Sequence, residues 1–321
     1  MPFPGVSYRD LRFRLFAALV AALTVIGATP PARAIVIYGE EPADQTGIYD
    51  RFNVGSYPTA PVPNPTFIGA AFDLSAVGWS ATNSSQSVTL ISSQYFLGAA
   101  HFKPAIGSSV LFRGTDGIVY SATVDSYHTL TYSGSGGAQV SDVAIGRLVS
   151  AVPVAVNPMP IFYMGTTNVN SASSFDRYVG LSLYNYGWTA RMGTNVLEDF
   201  TEYRLSPSGP NTNVGLYYDY DAVNGETLLE GGDSGSPTFA YRNGVFGLIG
   251  AHSGVDTPHG ISVDTFLGYT PYVNQINAIM ASDGQALTFA VVPEPGTLLF
   301  GFLVVGACGL GRFRKLKALQ V

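Results

Sequence analysis

The chain has 321 residues, 46% of them hydrophobic and 12% charged, with 37 Gly, 20 Pro, 19 Tyr and 19 Phe. That mixture excludes a disordered or long-helical chain and favours one large or two small all-β units built from short strands and turns. Each end carries four basic residues and one acid, so 35–292 keeps 8 basic against 20 acidic residues, a net charge of −12 that repels phosphates and excludes nucleic acid as a partner.

Residues 1–34 read as a secretory signal peptide. Arg9, Arg12 and Arg14 form its basic region, Leu15 to Gly27 its apolar run, and Ala32-Arg33-Ala34 an A-x-A site for signal peptidase. A retained membrane anchor is the alternative, against which the shortness of the run argues. Residues 35–65 are rich in turn formers, including Tyr57-Pro58 and Pro61-Val62-Pro63-Asn64-Pro65, and read as an extended entry segment.

From Phe67 the texture is β. Short apolar runs at Ala76–Trp79, Ser87–Ile91, Tyr95–Ala100, Ser109–Phe112, Ile118–Val124 and Val143–Leu148 are separated by Gly, Ser and Asp turns. The Ser133-Gly134-Ser135-Gly136-Gly137 run is expected as a flexible loop. Ala151 to Pro160, with three prolines, divides a first unit (35–150) from a second (151–282). The second unit carries strand-like runs at Tyr178–Tyr186, Phe200–Leu205, Pro237–Tyr241, Val245–Ala251 and Ile261–Val263. It closes on a helix over Tyr272–Met280, whose apolar positions Tyr272, Val273, Ile276 and Ile279 share a face. A linker is expected over 283–292.

The remainder, 293–321, is a separate object: Pro293-Glu294-Pro295-Gly296, an apolar run from Thr297 to Gly311, and a closing basic cluster. This order of parts resembles the PEP-CTERM sorting signal of Gram-negative bacteria. The resemblance implies export through the inner membrane to the envelope or beyond, transient anchoring by the tail, and an exosortase-type sorting enzyme as a partner. A permanent C-terminal anchor is the alternative. The single cysteine, Cys308, lies in this tail, so the main body holds no disulfide and no thiolate metal site.

The chemistry concentrates in Glu230-Gly231-Gly232-Asp233-Ser234-Gly235-Ser236-Pro237. A serine nucleophile needs a tight turn that projects its hydroxyl, and flanking glycines supply backbone angles that other residues resist. Alone, the string also reads as a surface turn. Upstream, Gly98-Ala99-Ala100-His101 ends an apolar strand on a histidine, and Ser141-Asp142-Val143-Ala144-Ile145 sets an acid before another. For a lone strand-end histidine, a bond to a carbonyl is the ordinary role. Asp125 and Asp116 compete with Asp142 as the acid, and His128 reads as a surface or loop residue.

The order His101, Asp142, Ser234, with separations of 41 and 92 residues, resembles that of the chymotrypsin/trypsin-like serine peptidases. Leu248–Gly254 resembles the strand lining that family's cleft, Pro258-His259-Gly260-Ile261 its pocket segment, and the helix at 272–280 its terminal helix. The resemblance covers about 66–282 and implies two perpendicular six-stranded β-barrels with a C-terminal helix and the site between them. It implies Ser234 as nucleophile, His101 as general base then acid, and Asp142 as the orienting carboxylate. The N–H groups of Gly232 and Ser234 would form the oxyanion hole, worth ~3 kcal/mol per donor. No metal or organic cofactor is needed, and the substrates would be proteins or peptides.

Two positions depart from the family pattern. Ser236 replaces a second glycine after the nucleophile, and Phe102 stands where animal members have a disulfide cysteine. Leu228, in place of trypsin's pocket acid, argues against preference for Lys or Arg. His252 matches a pocket histidine of glutamyl endopeptidases, with internal bonding as its alternative, and Ser253, Gly254 and Gly260 complete the expected pocket. Signal cleavage after Ala34 would free the Ile35 amine to pair with Asp233, although 66 residues then precede His101. The alternatives in function are a catalytically silent barrel that binds in the envelope or matrix, and an esterase using the same triad.

Overall fold

The computed structural model describes residues 34–40, 46–134, 137–164, 168–205 and 212–292. The expected signal peptide, save Ala34, and the expected C-terminal sorting tail with Cys308 lie outside the described residues. Within them, no helix is long and apolar enough to cross a membrane.

The described chain begins with β1 (Val36–Ile37), which pairs antiparallel with Thr227–Leu228 far along the sequence. Residues 46–73 then run as turns with isolated bridges rather than as a free extended arm. Asp50 bridges Arg191, Phe52 bridges Pro63, and Asn64 donates to the carbonyls of Gly47 and Asp50. Arg51 anchors this segment across the molecule. Its buried guanidinium donates to the carbonyl of Leu74 at 2.8 Å and the hydroxyl of Tyr186 at 3.2 Å, against the rings of Phe52 and Tyr186.

The first barrel is β2 (Val77–Ser80), β3 (Ser87–Leu90), β4 (Tyr95–Ala99), β5 (Ser109–Arg113), β6 (Val119–Gly134) and β7 (Gly137–Leu148), closed in the order β2-β3-β4-β7-β6-β5. Period-two patterning is plain in β5, which turns Val110 and Phe112 inward while its neighbours stay half-exposed. β6 and β7 run well past the apolar stretches visible in the sequence. Their outer ends, polar in composition, are held by the second half: Tyr132 packs on Tyr269 and Tyr272, and the Gln275 side chain accepts the Thr131 N–H at 2.8 Å. Of the glycine-rich run expected as a loop, Ser133 and Gly134 pair in the strands with Ala138 and Gly137, and 135–136 lie outside the described residues.

After the proline-rich crossover come β8 (Ile161–Tyr163), α1 (Ala172–Phe175), β9 (Ser182–Gly187), β10 (Arg191–Val196), β11 (Asp199–Arg204), β12 (Thr212–Asp219), β13 (Thr227–Leu228), β14 (Pro237–Arg242), β15 (Val245–Asp256), β16 (Ile261–Phe266), α2 (Thr270–Met280) and β17 (Phe289–Val291). The second half is all-β, as expected, with α2 following its last long strand. Its hydrogen bonds join nine strands along the path β10-β9-β14-β15-β16-β12-β11, with β8 paired in parallel to β15 and β17. The span 283–292, expected as a linker, therefore contributes a strand. α2 buries Tyr272, Ile276 and Met280, while Val273 and Ile279 are only half-buried. The apolar stripe is thus rotated slightly from the expected one. One continuous core, including Val110, Phe112, Leu216, Phe239, Phe266 and Tyr272, runs through both halves.

Candidate active site

Strands β4 and β7 are antiparallel neighbours with Ala99 opposite Val143. The residue two beyond the end of β4 therefore lies beside the residue preceding Val143. The Ala100 N–H donates to the Asp142 carbonyl at 2.6 Å, which locks the two segments together. His101 Nδ1 is then 2.9 Å from each Asp142 carboxylate oxygen, and the His101 main-chain N–H reaches Oδ1 at 3.2 Å. Asp142 is 1% exposed, whereas the His101 side chain is 37% exposed. The carboxylate is shielded from water, while the ring opens to solvent on the side that faces Ser234.

Ser234 comes from the other half of the molecule. Its Oγ is 2.9 Å from His101 Nε2. The turn that carries it needs glycine on both sides: Gly232 has φ +106° and Gly235 φ +84°. A Cβ on Gly235 would lie 2.8 Å from the Ala99 nitrogen and 3.1 Å from the Ser87 carbonyl, so the Ser234 turn rests directly on first-barrel backbone. β15 holds it from behind, with Gly235 N–H donating to the His252 carbonyl at 2.8 Å and His252 N–H to the Ser236 carbonyl at 2.9 Å. Among the described residues, the N–H groups of Gly232 and Ser234 donate to no acceptor within the chain.

Asp142 is held by four residues. Besides His101 and Ala100, Ser253 Oγ donates to its Oδ2 at 2.5 Å. The Asn213 carboxamide oxygen accepts the Asp142 N–H at 2.7 Å and the Ser141 hydroxyl at 2.6 Å. The competing acids are occupied elsewhere: Asp125 pairs with Arg147 at 2.8 Å, and Asp116 accepts the Ile118 N–H and the Tyr120 hydroxyl. His128 is an exposed residue of strand β6, not of a loop.

Asp233, beside Ser234, is 1% exposed. Its carboxylate accepts N–H groups from Trp188 at 3.1 Å and Glu230 at 2.9 Å, and the fully buried Ile35 main chain lies close enough to favour its charged form. Burial raises the Asp233 pKa, and these donors together with the nearby His252 only partly offset that. The structure places the Ile35 main chain beside Asp233, with Ala34 still attached. The 66-residue lead to His101 is accommodated because much of it is the folded 46–73 segment.

The expected pocket residues fare differently. His252 is 1% exposed and does not offer its ring to a substrate. Nδ1 is 2.7 Å from Asp264 Oδ1, and Nε2 donates to the Tyr186 carbonyl at 3.1 Å. The reason is register: His252 and Asp264 are direct cross-strand partners on β15 and β16, and Thr238 and Tyr218 also donate to the same buried carboxylate. Burial alone would depress the imidazole pKa, but the Asp264 carboxylate outweighs it and the net shift is upward. Leu228 is buried in the β1–β13 pair opposite Val36. Ser253 braces Asp142 rather than lining a pocket wall. Gly254 lies near Leu205, and Gly260 forms the left-handed end of a short helical turn at φ +67°. Phe102, half-buried, bridges Ala99 and with His101, Lys103, Ile106, Tyr127 and Gln86 lines a cavity of about 330 Å³ beside the imidazole.

One acidic group lies apart from this site. Glu198, Asp219 and Asp221 bring carboxylate oxygens within 4.8 Å of one another. Partial burial, then the neighbouring acids, push Glu198 up to about 7. They are the only described residues grouped so that they could hold a metal, and none belongs to the serine site.

No family model matches the chain, and no curated protein matches it. Among solved structures, it is similar to the NS6 protease of murine norovirus 1, at 15% identity and a TM-score of 0.35, over 58% of this chain and 88% of that one. It is also similar to the heparin binding protein, at 12% identity and a TM-score of 0.45, over 67% and 94%. A mutant of the human form of that protein gives 12% and 0.44 over 66% and 94%.

Proposed function

We propose that this chain is a serine endopeptidase that hydrolyses peptide bonds through an acyl-enzyme. The observation that carries the reading is the unbroken line from a buried carboxylate through an imidazole to a serine hydroxyl, with both contacts at 2.9 Å. In that line His101 Nε2 accepts the Ser234 proton as Oγ attacks the substrate carbonyl. Asp142 holds Nδ1–H, fixing the tautomer, and stabilises the imidazolium that forms. The same proton then passes to the leaving amine, and a water molecule repeats the sequence to release the acid. The N–H groups of Gly232 and Ser234, with no acceptor among the described residues, are suited to receive the oxyanion.

Nothing in this chemistry calls on a metal or organic cofactor. A fluorophosphonate probe tests the reading directly. Labelling of the processed protein, abolished in Ser234→Ala and suppressed in His101→Ala, is the expected result. Intact protein that stays unlabelled would leave a binding role as the better account.

Processing is part of the same proposal. Cleavage after Ala34 would turn the Ile35 amide, already at Asp233, into an ammonium facing a carboxylate whose ionisation burial disfavours. Export by signal peptidase and removal of the tail by an exosortase-type enzyme complete the scheme. Intact mass of the exported protein reads both ends at once, and a mature start away from Ile35 would remove the amine from the mechanism.

A further inference from the structure

Both halves must meet for the serine to reach the imidazole, but the acid is also reached from the second half. Asn213, near the start of β12, is fully buried. Its Oδ1 takes two donors from the first barrel, the Asp142 main-chain N–H at 2.7 Å and the Ser141 hydroxyl at 2.6 Å. Next to it, the Thr212 hydroxyl donates to the Gln139 side chain at 2.7 Å, so β12 grips β7 at two levels. These bonds act on the backbone of Asp142, whereas Ser253 and His101 act on its carboxylate. A backbone free to tilt there would swing both carboxylate oxygens away from Nδ1, since side-chain and main-chain positions are coupled through one Cα.

We propose that Asn213 is a positioning residue for the acid of the triad, fixing the Asp142 peptide so that its carboxylate meets His101 only when the two halves are docked. The proposal rests on the triad reading above. Its physical content is a single acceptor oxygen. Without it, a buried N–H and a buried hydroxyl both lose their partner, and the strand relaxes to find others. Nδ2 of Asn213 makes no bond among the described residues, so the acceptor and not the amide donor is what the site uses.

The test compares Asn213→Leu, which keeps the branched shape and removes the acceptor, with Asn213→Asp, which keeps an acceptor in place. Two readouts are needed, hydrogen exchange of the Asp142 amide and steady-state kinetics on a peptide substrate. Asn213→Leu is expected to exchange at Asp142 at least about tenfold faster than wild type. Its kcat should fall about 10–100-fold with KM within about twofold.

Asn213→Asp should keep the amide protected and hold kcat within about threefold of wild type. It should also move the acid limb of the kcat/KM profile to higher pH, because a second negative charge near the imidazole favours its protonated form. Wild-type exchange and kcat in Asn213→Leu, or equal damage in both variants, would overturn the proposal. Should Asn213→Leu fail to fold, exposure of the Asp142 amide in folded Asn213→Asp would also overturn it. Faster exchange in Asn213→Leu together with an inert wild-type protein would support the positioning role and count against the peptidase reading alone.

Discussion

Gly235→Ala concentrates the structural logic of the site in one methyl group. The backbone at 235 is left-handed, φ +84°, which costs a non-glycine residue about 1–2 kcal/mol. The added Cβ would also sit 2.8 Å from the Ala99 nitrogen and 3.1 Å from the Ser87 carbonyl. Both are main-chain atoms of barrel strands, so neither can rotate away, and overpacking of this kind adds about 1–3 kcal/mol. The combined loss, on the order of 2–5 kcal/mol, corresponds to a fall in Tm of about 5–15 °C for a domain of this size.

Relief can come only by lifting the turn off the first barrel, which carries Ser234 away from His101. A displacement of ~1 Å at the reacting atoms can cost ~100-fold in rate. We therefore expect a folded variant, checked by near-UV circular dichroism, that reacts with a fluorophosphonate at least ~10-fold more slowly. A Gly235→Ala protein with wild-type Tm and wild-type labelling rate would refute the claim that the nucleophile turn rests on β3 and β4.

Three further outcomes follow from the same geometry. Ser253→Ala removes a charge-assisted bond of about 1.5–3 kcal/mol from Asp142, so kcat should drop ~10-fold with KM little changed, and an unchanged kcat would show that the carboxylate is held without it. His252→Gln strands the fully buried Asp264 carboxylate and should cost ~3–5 kcal/mol in urea melts. Because the folded pKa of His252 lies above its ordinary value, its stabilisation is complete below about pH 6.5 and is lost as pH rises through the higher folded value; the variant should lose that slope. Glu198, raised from 4.5 to about 7, destabilises the fold when ionised; Glu198→Gln should therefore raise Tm at pH 8 and leave it unchanged near pH 4.5, and a pH-independent effect would argue against repulsion from Asp219 and Asp221.

How far the sequence reached depended on whether the signal was local. The glycines around Ser234, the small residues before His101 and the apolar strand after Asp142 are each short-range requirements of the backbone, and they stood out without a structure. The first-barrel strands β2 to β5 appeared to within a residue or two, because their apolar runs are bounded by turn residues. The outer halves of β6 and β7 did not. Their Thr, Tyr and Gln residues are stabilised by partners 70 to 144 residues away, such as Gln275 on Thr131. Strand β12 and its Asn213 were equally silent, since an asparagine between Thr212 and Val214 looks no different from one in a turn.

His252 shows the same division in a single residue. The motif around it left two roles open, a ring aimed at a substrate or one bonded internally. Cross-strand pairing with Asp264, twelve residues on, turned that ring into the core, where a carboxylate and a carbonyl already take both nitrogens.

By itself, then, the chain determined an acidic all-β protein with serine, histidine and aspartate in a particular order and a glycine turn around the serine. These are properties of composition and of backbone freedom at a few sites, which are written residue by residue. Tertiary structure decided the 2.9 Å line through His101, the burial of Asp142, the meeting of Ile35 with Asp233 and the seat of Asn213. Each of these joins segments dozens of residues apart, and their meeting follows from strand register and the docking of two halves, which no local window of sequence contains.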